Sequence, residues 1–204
     1  MKKKDIIVIG TSSGGIEALK TLVRGLPKDF NASIFIVLHI APHFPGNLAQ
    51  TLKDVGRLPA VSPADWEQIK AGHIYVAPPD CHLLLDRLGY MRVTKGPKEK
   101  LFRPAINPLF RSAAQAFGSR VIGLILTGAL DDGASGLRMV KQQGGVAIVQ
   151  DPLDAYAPSM PLSALRVVNV DFCLPVTEIA SLLTDLANNE LENYSTALGE
   201  ELDN

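Results

Sequence analysis

Ile6-Ile7-Val8-Ile9 runs directly into Gly10-Thr11-Ser12-Ser13-Gly14-Gly15. Four apolar residues lead into Gly-x-Ser-x-Gly, the pattern of a strand ending in a tight turn. Ile16, Leu19, Val23 and Leu26 follow with the spacing of one helix face. The glycines let the turn bend sharply and leave room around the serine. Three readings of this turn stand on these residues alone. Ser12 is a nucleophile at a strand end, where free helix N–H groups and the helix dipole favour developing negative charge. Alternatively, the turn cradles a phosphate, or Ser12 or Ser13 simply caps the helix.

Similar apolar runs recur at Ile34–Leu38, Val121–Leu126 and Val146–Val149. Helical patterns lie between and after them, at Leu48–Leu52, from near Ile106 to Phe117, at Gly133–Gln143 and at about Val176–Asn188. Apolar strands separated by helices predict an α/β fold with a doubly wound, mostly parallel sheet covered on both faces. The middle of the chain reads differently. His73–Ala77, Pro78-Pro79-Asp80, His82–Leu85 and Tyr90–Val93 predict short antiparallel strands, a β insertion at one sheet edge. Residues 96–103 are basic and turn-rich and are expected to form an exposed loop. Residues 1–188 are expected to form one domain. Residues 189–204, with Glu190, Glu192, Glu200, Glu201 and Asp203, are expected to be a flexible acidic tail.

Composition narrows the function classes. With 204 residues, 47% of them hydrophobic, and a net charge of -1, nothing points to a nucleic-acid partner or an anionic membrane. No segment approaches the length of a membrane span. The run after Lys2-Lys3-Lys4 breaks into Thr11-Ser12-Ser13 too early for a signal peptide. Cys81 and Cys173 lie far apart, without metal-like spacing, and read as buried, reduced thiols of a cytoplasmic protein. No cofactor and no metal is expected.

Ligands of an open parallel sheet bind outside the carboxyl ends of its strands. After the first strand comes Ser12, after the second His39, and after Val121–Leu126 comes Thr127-Gly128-Ala129-Leu130-Asp131-Asp132-Gly133. A hydroxyl, an imidazole and a pair of carboxylates are the parts of a serine nucleophile with its base and orienting acid. The order Ser, His, Asp differs from the Ser, Asp, His order of α/β-hydrolases. Each partner also has a plainer reading. His39 could be a structural residue, His43, His73 and His82 compete with it, and Asp131 or Asp132 could cap the helix that follows. The dinucleotide reading is weak, because Gly-x-Gly-x-x-Gly spacing and a Walker lysine are both absent and His39 stands where an acidic residue would end the second strand.

Several segments together resemble one family. They are Ile9–Leu19 around Ser12, the His39 segment ending in Ala41-Pro42, Tyr75–Asp80, Phe102-Arg103-Pro104 and Leu126–Gly133. In this order they resemble the catalytic domain of CheB-type protein-glutamate methylesterases, from about Ile6 to Leu186. The resemblance implies a serine hydrolase that removes methyl groups from γ-glutamyl methyl esters on the cytoplasmic helices of methyl-accepting chemoreceptors, in bacterial chemotaxis signalling. Many members also deamidate receptor glutamines. It implies Ser12 as nucleophile, His39 as base and Asp132, rather than Asp131, as the orienting carboxylate. Backbone N–H groups at Ser13 and near Ala129 are the expected oxyanion donors, and the Ser13 hydroxyl is a candidate to steady His39. Arg103 and Met160, in the Ala157-Pro158-Ser159-Met160-Pro161 segment, are expected on the substrate side.

The chain also departs from the family pattern. Phe102 stands where a histidine commonly precedes Arg-Pro, Asn107 where an aspartate is common, and Ala129 where a methionine is common. The family usually carries an N-terminal receiver domain, whereas this sequence begins at the first catalytic strand. Constitutive activity, or control by a separate response regulator or histidine kinase, is the corresponding expectation. The alternative function is a non-catalytic receptor-docking or nucleotide-binding module on the same fold.

Overall fold

The computed structural model describes residues 3–39 and 47–188. Ala41, Pro42, His43 and the tail from residue 189 lie outside the described residues. The elements are β1 (Ile6–Thr11), α1 (Gly15–Gly25), β2 (Ser33–Leu38), α2 (Leu48–Val55), β3 (Ala60–Val61), β4 (Glu67–Gln68), β5 (Ile74–Val76), β6 (His82–Leu85) and β7 (Tyr90–Thr94). After these come α3 (Ile106–Phe117), β8 (Val121–Ile125), α4 (Ala134–Gln142), β9 (Val146–Gln150), α5 (Ser159–Val167), β10 (Phe172–Leu174) and α6 (Val176–Asn188). Seven strands make one sheet in the order β10-β9-β8-β1-β2-β5-β3, and every described pairing in it is parallel. The chain builds outward from β1 to one side and later returns to β1's other side with β8. The reversal opens a crevice at the carboxyl ends of β8, β1 and β2, where such folds bind ligands.

Alternation along the strands divides the core into two layers. Ile7, Ile9, Ile34 and Ile36 face one side and pack with Leu19, Leu22, Leu52, Leu182 and Leu183 of α1, α2 and α6. Ile6, Val8, Phe35 and Val37 face the other and pack with Leu109, Phe110, Leu137 and Met160 of α3, α4 and α5. A separate antiparallel sheet, β4-β7-β6, joins that second layer through Leu83, Leu85 and Met91.

Two expectations are corrected. Ile74–Val76 is not part of the antiparallel insertion; it pairs in parallel with β2 inside the main sheet. Its short length and the turn-forming prolines after it mimic a hairpin strand, but Ile74, Tyr75 and Val76 are buried on both faces, as a parallel strand requires. Cys173 is exposed, because β10 is the edge strand, and Cys81 is only partly buried.

Helices α3 and α4 cap one another. The cap position of α3 is Ala105 and that of α4 is Gly133, neither with a side-chain cap bond of its own. The N–H groups of Ile106 and Asn107 instead donate to Asp132, at 2.7 and 3.1 Å. Asn107 Oδ1 accepts from the N–H groups of Gly133 and Gly136, at 3.1 and 2.8 Å, and from the Ser135 hydroxyl at 2.9 Å. Each helix start thus fills its free N–H groups with a side chain from the other. Asn107→Ala removes a buried acceptor and leaves two helix N–H groups unpaired. It is expected to cost about 2 kcal/mol, read as a lower urea midpoint with an unchanged m-value.

Candidate active site

Ser12 follows β1 directly, and the helix behind it starts at Gly15. Neither Ser12 nor Ser13 caps that helix: Gly14 holds the cap position at φ 78°, without a side-chain bond. A Cβ at Gly14 would stand 2.7 Å from Tyr156 Cβ, so glycine meets both the conformation and the packing there. The turn is tied to the loop after β8. The Ser12 N–H and the Thr11 hydroxyl both donate to the Thr127 carbonyl, at 3.0 and 2.7 Å. The Thr127 hydroxyl donates to the Ser13 carbonyl at 2.9 Å and accepts from the Ala157 N–H at 2.8 Å.

His39 leaves the end of β2, level with Ser12, and its N–H donates to the Thr11 carbonyl at 3.1 Å. Its side chain is 3% exposed, and Nε2–H donates to Asp132 Oδ2 at 2.8 Å. That bond fixes the neutral imidazole as the Nε2–H tautomer and leaves a lone pair on Nδ1. Nδ1 is buried and has no hydrogen-bond partner among the described residues. The Phe102 ring lies flat on the imidazole, with centroids 3.7 Å apart and planes within 3°.

Asp132 is fully buried and takes three donors: His39 Nε2 and the N–H groups of Ile106 and Asn107. Burial pushes its pKa up, but the hydrogen bonds from His39 and Ile106, the imidazole's charge and the Asn107 N–H outweigh burial and hold it below the ordinary value. Asp131, in contrast, is exposed and pairs with Lys100. The structure therefore brings His39 and Asp132 into direct contact next to the Ser12 turn, and leaves Asp131 outside.

Other expected residues divide. The N–H groups of Ser13 and Ala129 have no acceptor among the described residues, whereas those of Ser12, Gly128 and Leu130 are already bonded, to Thr127 O, Ala157 O and Ser159 Oγ. The Ser13 side chain is not bonded to His39. The Met160 side chain is fully buried in the second core layer, with its Cε against Gly128, the residue that abuts Ser12. Arg103 is not a free cation. Its guanidinium holds Asp80 Oδ1 through Nε and Nη2 at 3.0 and 2.7 Å, and Nη1 donates to the Gly96 carbonyl at 2.8 Å. These bonds keep the Asp80 carboxyl below the usual carboxylate range. His82 is satisfied locally, donating from Nε2 to the Pro97 carbonyl and accepting from the Ala105 N–H at Nδ1, and His73 faces the Ala71 carbonyl. Among the described residues no His/Cys/Asp/Glu group has the arrangement of a metal site.

Sequence reasoning did not find the roles of Phe102, Asn107 and Thr127. Phe102 and Asn107 were visible only as departures from a family pattern, and Thr127 only as part of a motif. Their partners lie between 25 and 116 positions away in the chain, so no local spacing exposes them.

Comparison with known proteins bears on the chain as a whole. A family model described as CheB methylesterase matches residues 7–183. A protein of Leptospira interrogans serovar copenhageni, provisionally named protein-glutamate methylesterase/protein-glutamine glutaminase, is 40% identical over 188 residues, which cover 92% of this chain and 97% of that one. An Anaeromyxobacter dehalogenans protein named protein-glutamate methylesterase/protein-glutamine glutaminase 2 is also 40% identical, but this chain spans only 53% of its length. The crystal structure of the Thermotoga maritima CheB methylesterase catalytic domain superimposes with a TM-score of 0.86 at 35% identity, over 91% of this chain and all of that one.

The depressed Asp132 pKa sets a pH dependence. Its bonded, charged form stabilises the fold above the carboxylate's unfolded pKa of about 3.9. That contribution is lost as pH falls through the lower folded value. Unfolding by urea between pH 7 and pH 3 should therefore show wild type losing its advantage over Asp132→Asn as the pH drops below about 4.

Proposed function

The chain belongs to the CheB methylesterase family, and on that footing we propose that it is a protein-glutamate methylesterase working through Ser12, His39 and Asp132. The observation that carries this reading is the imidazole. One nitrogen is held by a buried carboxylate while the other, Nδ1, is buried and unpaired among the described residues, on a residue whose backbone stands level with Ser12. A structural histidine has both nitrogens satisfied, as His82 does. An imidazole with one lone pair held in reserve is poised to accept a proton.

In this reading Ser12 Oγ attacks the ester carbonyl and its proton passes to His39 Nδ1. Asp132 stabilises the imidazolium and keeps the ring aligned. The N–H groups of Ser13 and Ala129, which have no acceptor among the described residues, receive the oxyanion. His39 returns the proton to the departing methoxide, which leaves as methanol. Water then adds to the acyl-enzyme with the same histidine as base, freeing the glutamate and restoring Ser12. With ammonia as leaving group the same steps deamidate a glutamine, the second activity in the names of the relatives. The substrate is the cytoplasmic helical region of a methyl-accepting chemoreceptor, and the site of action is the cytoplasm. Among the described residues no helix is long and apolar enough to cross a membrane.

Methanol release from a methylated chemoreceptor fragment tests the reading. Wild type should release methanol, and Ser12→Ala should lose at least about a thousand-fold in rate. No release by wild type, together with thermal protection by ATP or NAD, would return the chain to the nucleotide-binding alternative. A second variant probes the geometry. A Cβ at Gly128 would come 2.9 Å from Ser12 Cβ and also press on the flexible end of Met160. Gly128→Ala should lower kcat by more than about tenfold while the protein stays folded, and adding Met160→Ala should not restore it. Recovery in the double variant would mean that the strain falls on Met160 and not on Ser12.

A further inference from the structure

Leu101 and Leu130 stand with 86% and 60% of their surface in solvent. Single exposed leucines are ordinary. These two also share a left-handed backbone, at φ 72° and 69°, a conformation that glycine or asparagine adopts with less strain. Both are close in sequence to residues of the same site. Leu101 precedes Phe102, whose ring covers His39, and Leu130 stands two residues before Asp132.

The loops that carry them are fastened. Glu99 is clamped by Arg111 through two bonds of 2.7 Å, Arg103 is held by Asp80, and Lys100 pairs with Asp131 across the two loops. The Leu130 N–H donates to Ser159 Oγ at 3.1 Å, and the Ser163 hydroxyl donates to the Leu130 carbonyl at 3.3 Å. Two strained leucines are thus held out into water on a braced frame at the edge of the proposed catalytic centre. Strain of this kind persists where the surroundings enforce it, and such sites concentrate where a protein meets its ligand.

We propose that Leu101 and Leu130 form a docking rim for the substrate protein, seated on apolar side chains that flank the esterified glutamate on its helix. The proposal rests on the methylesterase reading and deepens it. The reaction selects the occupant. A glutamyl ester is a short side chain, so its carbonyl reaches Ser12 only when the backbone carrying it comes down onto the mouth of the site. On a helix, residues three and four positions away share that face and come down with it. Apolar residues there would cover both leucines, and Lys100 and Asp131, already paired, add no net charge to oppose them.

The test uses Leu101→Asn, Leu130→Asn and the double variant, since asparagine accepts the left-handed conformation and removes only the apolar surface. Three readouts are taken on the full chain: methanol release from a methylated chemoreceptor fragment, hydrolysis of p-nitrophenyl acetate, and the thermal midpoint. The double variant should raise KM for the receptor at least about tenfold, a loss of about 1.4 kcal/mol, with kcat for the receptor within about twofold. Hydrolysis of the small ester, which needs no docking, should stay within about twofold, and the midpoint should hold or rise. An unchanged receptor KM, with wild type active, overturns the docking rim alone. Equal losses on the small ester and the receptor overturn it too, by assigning the leucines to the geometry of the catalytic centre. A wild type that releases no methanol overturns the methylesterase reading, and the rim with it.

Discussion

A carboxylate sealed from water must be matched by donors or it will not stay charged. Asp132 meets that condition with an imidazole N–H and two N–H groups from the start of α3. The match has two consequences at once. It joins α3 to the loop that begins α4, and it orients His39. Asn107, one residue into that same helix turn, returns the arrangement by capping α4. The orientation of the imidazole and the packing of two core helices therefore depend on one set of hydrogen bonds. A group that shifted to improve one would degrade the other, which makes the site rigid without any residue assigned to rigidity alone.

The surrounding loops extend this logic outward. Arg103 reads on paper as a cation available to an acidic substrate, yet its guanidinium is committed to Asp80 and to the Gly96 carbonyl. Its effect is to hold residues 96–103 down so that Phe102 rests on His39. The Pro78-Pro79-Asp80 segment gains a purpose in the same way: Asp80, at φ 56°, presents the carboxylate that grips Arg103. Flat stacking at 3.7 Å removes one side of the imidazole from water and blocks rotation of the ring away from Asp132. The motif residues thus act largely on one another.

Much of this was legible in the sequence, and what was not has a physical cause. The strand-turn-helix at Ile6–Gly15, the alternation of apolar strands with helices and the placement of Ser12, His39 and Asp132 at strand ends all follow from local periodicity and from the topology of open parallel sheets. The choice between Asp131 and Asp132 does not. Both precede the same helix, and only the tertiary fold makes one buried and the other exposed. Ile74–Val76 was misplaced because a three-residue apolar segment beside turn residues carries no signal for parallel or antiparallel pairing. The burial of Met160 was not legible because its motif gives no sign that α5 turns that side chain into the core. Cys173 was misplaced because burial statistics for cysteine say nothing about which strand is the sheet's edge.

Strand order also decides which imidazole nitrogen is left free. The order β8-β1-β2 puts the Ser12 strand in the middle, the His39 strand on one side and the strand leading to Asp132 on the other. Neighbouring strands lie about 4.8 Å apart, so the carboxylate comes from a strand about 9.6 Å from that of the histidine, and the serine from one only half as far. An imidazole reaching across β1 must use its far nitrogen, Nε2, for the distant partner, and does so at 2.8 Å. Its other nitrogen, Nδ1, is left buried and without a partner among the described residues. Serine proteases of the chymotrypsin kind use the two nitrogens the other way round, with Nε2 on the serine and Nδ1–H on the carboxylate. In the proposed mechanism the two arrangements are chemically equivalent, since either nitrogen of a neutral imidazole can be the base once the other is held as a donor. What separates them is where the backbone places the acid, here a loop that follows β8, on the far side of β1 from the strand of His39.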